Sequence, residues 1–236
     1  ESEEMFSGRD FEKLLMEKGS WYFDESGQPQ LDSQDSIEVM TFITDMVKGG
    51  YTLNVSEWTQ AWYDCLSQGT VATMPAASWM GGFLSGWIAP DAAGLWRVIP
   101  LPAWEEGGNT ATNDGGSNLC ITEVSENKDA AWAFIEFMLG REDSQMTMYK
   151  GSDIFPSLVT TYDDPFFGEE VEYYGNQKVR EVFAAITENI PAISYQEFYS
   201  QANESLIEAF SKIIYNDVSV EQAMSEANEQ VITKTQ

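Results

Sequence analysis

Apolar positions recur at helical spacing over most of the chain, with shorter, uniformly apolar runs between them. In SGQPQLDSQDSIEVMTFITDMVKGG, a turn at Ser26, Gly27 and Pro29 leads to a cap at Ser33. Ile37, Met40, Ile43, Met46 and Val47 then keep a helical period until the Gly49-Gly50 pair stops it. A second helix is predicted from Ser56 through SEWTQAWYDCLSQG, with Trp58, Trp62 and Cys65 or Leu66 on one face and Gly69 as terminator. NKDAAWAFIEFMLG predicts an amphipathic helix with Ala131, Phe134, Ile135 and Met138 inward, followed at once by a short helix over REDSQMTMYKG. Helical periods resume at Asn176 and run through VREVFAAITENI, SYQEFYSQANESLIEAFSKIIYN and SVEQAMSEANEQVI, where Ser219 and Gln222 form a capping box.

The apolar runs TVATMPA, GLWRVIPLP and LCITEV predict short strands, the second ended by Pro100 and Pro102. Between them, AASWMGGFLSGWIAP reads as a loop and short helix carrying Trp79, Phe83 and Trp87, and EEGGNTATNDGGSN reads as a glycine-rich loop. SDIFPSLVTTYDDPFFGEE has turn-forming clusters and no period, which predicts a long connection. Short strands alternating with helices define an α/β arrangement with a parallel or mixed sheet, closed by an all-helical carboxyl third.

Composition narrows the chemistry. The chain has 236 residues, of which 43% are hydrophobic and 13% aromatic, enough to build a core and against disorder. A formal charge of -27 repels phosphate backbones, so nucleic acid is excluded as a partner and anionic lipid surfaces are disfavoured. Histidine is absent, which removes the commonest metal ligand and the base of the Ser-His-Asp and Cys-His nucleophile systems. Cys65 and Cys120 have no CxxC spacing, so they are expected to be inert, buried small hydrophobes, with a disulfide left open. The acidic runs EEGG, TYDDP and GEEVEYY lack calcium-loop spacing and read as solvated faces, so neither a metal nor a cofactor is expected. No apolar stretch is long enough to span a bilayer, and ESEEMFSGRD lacks the order of a signal peptide. Because the chain opens on Glu1, a secretory segment and further sequence are expected upstream.

In order and spacing, LSQGTVATM, PAASWMGG, WRVIPLP, NDGGSNLCIT, NKDAAWAFIEFML and ENIPAISYQEFYSQANESLIEAF resemble the second half of bacterial extracellular solute-binding proteins. The class is the maltose-binding-protein-like one, family 1 carbohydrate binders served by ABC importers. The resemblance implies a periplasmic-binding-protein-like type II α/β fold, here mainly the carboxyl-terminal lobe with a fragment of the amino-terminal lobe. It divides the chain into 1–114 of the carboxyl-terminal lobe, 115–165 as crossover and amino-terminal-lobe fragment, and 166–236 as a helical return. It implies an extracytoplasmic protein that binds a mono- or oligosaccharide without catalysis, hands it to the importer's membrane subunits, and meets the membrane only through a lipid anchor outside this sequence.

Trp79 is the first expected ligand residue, because a sugar's C–H face packs on an indole while its hydroxyls bond around the edge. The loop Asp114, Gly115, Gly116, Ser117 and Asn118 adds approachable backbone amides and two-way hydrogen-bonding side chains. Trp62, Phe155, Tyr195 and Phe198 are further candidates for the walls. Two other readings stand beside this one: a glycoside-active enzyme with Asp114 as the nearest candidate carboxylate, and a surface carbohydrate-binding adhesin.

Overall fold

The computed structural model describes residues 6–53 and 55–235. Helices dominate: α1 (Arg9–Glu17), α2 (Gln34–Lys48), α3 (Gln60–Ser67), α4 (Met80–Phe83), α5 (Lys128–Leu139), α6 (Glu142–Ser152), α7 (Val179–Thr187), α8 (Tyr199–Tyr215) and α9 (Val220–Thr235). The chain forms two compact units, one from Glu1–Trp62, Leu101–Asn113 and Asn189–Gln236, the other from Tyr63–Pro100 and Asp114–Glu188.

The first unit is a helical core. α8 and α9 pack on each other and on α2, burying Leu206, Phe210, Ile213, Met224 and Val231 against Val39 and Met40. Ser33 caps α2 as its sequence predicts, accepting from the Ser36 N–H, and Ser219 accepts from the Gln222 N–H at the head of α9. α1 has no counterpart in the sequence reading, yet Phe11 and Leu15, one turn apart, are both fully buried. The segment 101–113 is fastened to α1 by three bonds. Trp104 Nε1 donates to the Leu14 carbonyl at 3.3 Å, Asn109 Nδ2 to the Glu17 carbonyl at 3.2 Å, and the Asn113 N–H to Met16 Sδ at 3.4 Å.

The second unit has a smaller apolar nucleus, in which Met146, Tyr149 and Phe167 are buried with Phe155, Tyr162, Phe166 and Ala184 packed against them. α6 and α7 follow their predicted spans closely. The aperiodic connection resolves into short 3-10 turns at Val159–Asp163, Pro165–Gly168 and Glu172–Tyr174.

Four expectations change. First, α3 begins at Gln60 rather than Ser56: Trp58 has φ 63°, which a right-handed helix cannot contain, and Thr59 Oγ1 accepts the Trp62 N–H. Second, TVATMPA, GLWRVIPLP and LCITEV form no ladder among the described residues, where only the isolated bridges Phe23 with Pro29 and Val171 with Gln177 occur, and Gly94, Leu95, Glu123 and Val124 lie in turns. A strand needs an in-register neighbour for its alternate N–H and C=O groups. Val98 instead satisfies both groups on one side-chain amide: its N–H donates to Gln177 Oε1 at 2.9 Å and its carbonyl accepts from Gln177 Nε2 at 2.6 Å. Third, α5 buries none of its residues, leaving Ala131, Ile135 and Met138 half-buried and Phe134 exposed, because a periodic stripe defines a face without supplying the atoms that cover it. Fourth, both cysteines are free; Cys65 is half-buried, and Cys120 is exposed because its run lies in no sheet.

Glu17, at the end of α1, is 3% exposed, and its Oε1 has no hydrogen-bond partner. Dehydration lifts its carboxyl from 4.5 to about 7, against a hydrogen bond from the Trp104 side chain that pulls the other way. Between those values the native state holds a proton that the unfolded chain has released, so stability falls as pH rises through this window. The melting temperature is therefore expected to drop on going from about pH 5 to about pH 8, and Glu17→Gln is expected to flatten that slope. Scanning calorimetry of both proteins across the window checks this, and an unaltered slope in the variant would remove Glu17 as the cause.

Candidate functional site

The second unit contains a cavity of about 440 Å³ with Trp79 on its wall. The wall is built by one short stretch of chain. Trp79, Phe83 and Trp87 succeed one another at four-residue steps, each ring edge-on to the next, with centroids 5.9 and 6.1 Å apart. Beneath them α4 widens into a π turn over Leu84–Ile88, anchored by Met80, Leu84 and Ile88, which are buried. Such widening shifts the following side chains relative to an α-helical register and is frequent at functional sites.

The opposite side comes from the end of α6, where Tyr149 to Asp153 line the cavity together with Phe166 and Arg180. Gly81 and Gly82 let these parts meet. A Cβ at Gly81 would lie 2.8 Å from the Tyr174 hydroxyl and 3.1 Å from Asp153 Oδ2, and one at Gly82 would lie 3.1 Å from Asp153 Cβ. Asp153 caps α6 in the left-handed region at φ 57° and receives a hydrogen bond from the Gly82 N–H. Burial raises its carboxyl above the ordinary range, opposed by the Arg180 charge and the Gly82 hydrogen bond. The Tyr149 and Tyr174 hydroxyls are also pushed up by burial, and so remain neutral donors across the physiological range.

The two leading sequence candidates come together. Trp79 Nε1 donates to the Asp114 carbonyl at 2.8 Å, and the neighbouring Gly115, at φ 91°, leaves its Cβ position 3.6 Å from the same indole nitrogen. Gly116, Ser117 and Asn118 continue that loop and are exposed. Phe155 does not line the cavity; it sits half-buried behind it, 5.4 Å from the Tyr149 ring. The remaining candidates belong to the first unit. Trp62 pairs with Trp58 at 5.3 Å, and Tyr195, 60% exposed, stands edge-on to Trp21 and Tyr199 and donates to Glu12 at 3.3 Å. Phe198 packs on the first unit's core.

The sequence places Asp153 beside the candidate Phe155 on a crossover without carrying it into the ligand set, and it selects neither Lys150 nor Arg180. Only the glycine pair opposite them was visible, and nothing in the linear pattern shows which carboxylate such a pair will meet. Among the described residues no cluster of three acidic or sulfur side chains has metal-binding geometry.

A concavity that combines five aromatic side chains with polar and charged ones has the composition of a candidate small-solute site. The chain belongs to the bacterial extracellular solute-binding proteins, whose family model matches residues 5–175. It is 29% identical over 235 residues to an arabinooligosaccharide-binding protein of Halalkalibacterium halodurans, covering 93% of this chain and 51% of that protein. It is 22% identical over 203 residues to a lactose-binding protein of Rhizobium radiobacter, covering 85% and 48%. The chain thus spans about half the length of the curated relatives it matches. Among solved structures, an ABC transporter associated binding protein from B. animalis subsp. lactis, in complex with β-1,6-galactobiose, superposes with TM-score 0.76 at 22% identity. That match covers 95% of this chain and 58% of the other. The sugar-binding protein MalE of Xanthomonas citri superposes with TM-score 0.75 at 18% identity, covering 98% and 58%. These likenesses show the expected periplasmic-binding-protein-like fold, of which this chain is a part.

The close approach at the glycine pair is testable. Gly82→Ala is expected to force Asp153 outward by a few tenths of an ångström, costing about 1 kcal/mol of stability through overpacking. Urea denaturation with a crystal structure of the variant checks both parts, and a variant of unchanged stability and unchanged Asp153 position would contradict the packing described.

Proposed function

We propose that the chain is part of the extracytoplasmic solute-binding component of an ABC transporter, and that it binds a mono- or oligosaccharide without catalysis. The observation that carries this reading is the Trp79 indole, presented to the cavity and held by its edge to the Asp114 carbonyl, beside the polar end of α6. That arrangement offers a flat aromatic surface to a sugar ring and hydrogen-bonding groups to its rim. The names of the relatives, which bind arabino-oligosaccharides and lactose, support the solute class.

The non-catalytic reading is supported by the lining itself. Glycoside hydrolysis needs an acid and a second carboxylate across the scissile bond, and Asp153 is the one carboxylate among the residues lining this cavity. The partners in this reading are the importer's membrane subunits, with membrane attachment through a lipid anchor outside these residues. Residues 115–165 act as the crossover and a fragment of the amino-terminal lobe, a reading supported by α5, which exposes Trp132, Phe134 and Phe137 and buries no residue of its own. Residues 1–114 and 166–236 are assigned to the carboxyl-terminal lobe on the resemblance alone; the compact units divide the chain differently, grouping 63–100 and 166–188 with 115–165.

Trp79→Ala tests the reading. It is expected to weaken sugar binding by about 1 to 3 kcal/mol while leaving the melting temperature within a few degrees of the parent. Titration calorimetry with arabino-oligosaccharides and lactose, beside a thermal melt, decides the matter; unchanged affinity, or collapse of the fold, would make Trp79 a structural residue instead.

A further inference from the structure

The cavity wall carries three charged side chains, and two already have partners. Lys150 Nζ bonds to the Asp164 carboxylate at 3.2 and 3.3 Å. The Arg180 guanidinium lies 3.7 Å from the Phe166 ring centroid, and its Nη1 donates to the Phe166 carbonyl at 3.3 Å. Asp153 differs from both. It takes a hydrogen bond from the Gly82 N–H and feels Arg180 only through the field, whereas a carboxylate can accept about four hydrogen bonds. Most of its accepting capacity is therefore unspent.

Its position is also costly for the fold. A carboxylate at the carboxyl end of a helix meets the negative end of the helix dipole, and the left-handed backbone at φ 57° is unfavourable for most residues, although Asp and Asn tolerate it best. Partial burial adds to the cost. Two glycines are nevertheless spent on bringing the chain against this side chain. A group kept at such expense on the wall of a cavity, with few bonds of its own, is suited to a ligand.

We propose that Asp153 is the specificity-determining residue of this site, accepting hydrogen bonds from two neighbouring hydroxyls of a neutral sugar and excluding sugars that bear a carboxylate. The inference rests on the reading of the cavity as a sugar site. A ring packed on Trp79 directs its equatorial hydroxyls sideways, where a carboxylate can take two of them at once. A uronate brings a second negative charge to the same place; Lys150 is already paired with Asp164 and the Arg180 charge already offsets that of Asp153, so no lining cation is left to balance the second.

Two variants separate the carboxylate from the backbone it sits on. Asp153→Asn keeps the shape and the left-handed tolerance but loses the charge and half of the acceptor set. Asp153→Gly suits the positive φ and removes the side chain altogether. Binding of lactose, β-1,6-galactobiose, arabinotriose and digalacturonate is measured by calorimetry for the parent, both variants and Trp79→Ala, with a thermal melt of each. Both Asp153 variants are expected to melt within a few degrees of the parent, or above it, and to bind the parent's best neutral sugar about tenfold or more weakly. Asp153→Asn is expected to narrow the preference for neutral sugar over digalacturonate by about tenfold. Neutral binding at the parent's strength in Asp153→Asn, or an equal loss for neutral and acidic sugars, overturns the proposal. If Trp79→Ala weakens binding while the Asp153 variants do not, this inference fails and the sugar-site reading stands. If the parent binds none of the four, both fall.

Discussion

An indole that offers a face to a ligand can be held only by its edge. In this protein the hold is the hydrogen bond from Trp79 Nε1 to the Asp114 carbonyl. It joins two stretches far apart in sequence, the aromatic wall and the glycine loop that begins at Asp114. The widened turn after α4 and the glycine pair within it serve the same end, the first by setting the side chains that follow and the second by admitting Asp153.

The two units are stabilised differently. The first relies on area: long helices bury a continuous set of Leu, Ile, Phe and Met side chains. The second has few fully buried residues and depends more on directed bonds between loops, such as the Tyr173 hydroxyl to the Ala89 carbonyl at 2.9 Å and the Gln145 side chain to the Ser157 and Leu158 amides. A unit held in this way carries polar groups near its centre, and it is the one that houses the cavity. The same division explains the two perturbed carboxyls. Glu17 is dehydrated by burial at the end of α1, whereas Asp153 is dehydrated on the wall of a cavity.

Helices were legible because their signals are local. The Ser33 cap, the Gly49-Gly50 stop after α2 and the period of α8 and α9 each depend on residues within a turn or two. Strands were not legible, since pairing depends on a neighbour that the local sequence does not name. The starting point of α3 was lost to the left-handed Trp58, a conformation that has no signature in a tryptophan. At the site, Trp79 and the loop from Asp114 were readable because an aromatic beside glycines and a flexible polar loop are unusual in composition. Asp153 was one of 39 acidic residues, distinguished only by the fold around it. Cys120 was misplaced for the same reason as the strand that contains it.

Gln177 has a consequence for the chain's behaviour in company. The run around Val98 carries exposed Ile99, with exposed Leu95 in the turn before it, the kind of segment on which a stray chain can build intermolecular sheet. A single amide occupies both backbone valences of Val98, so an incoming strand meets a plugged socket at the middle of the run. At Val98 the block is one neutral side chain, a device that carries no charge and so is not screened by salt.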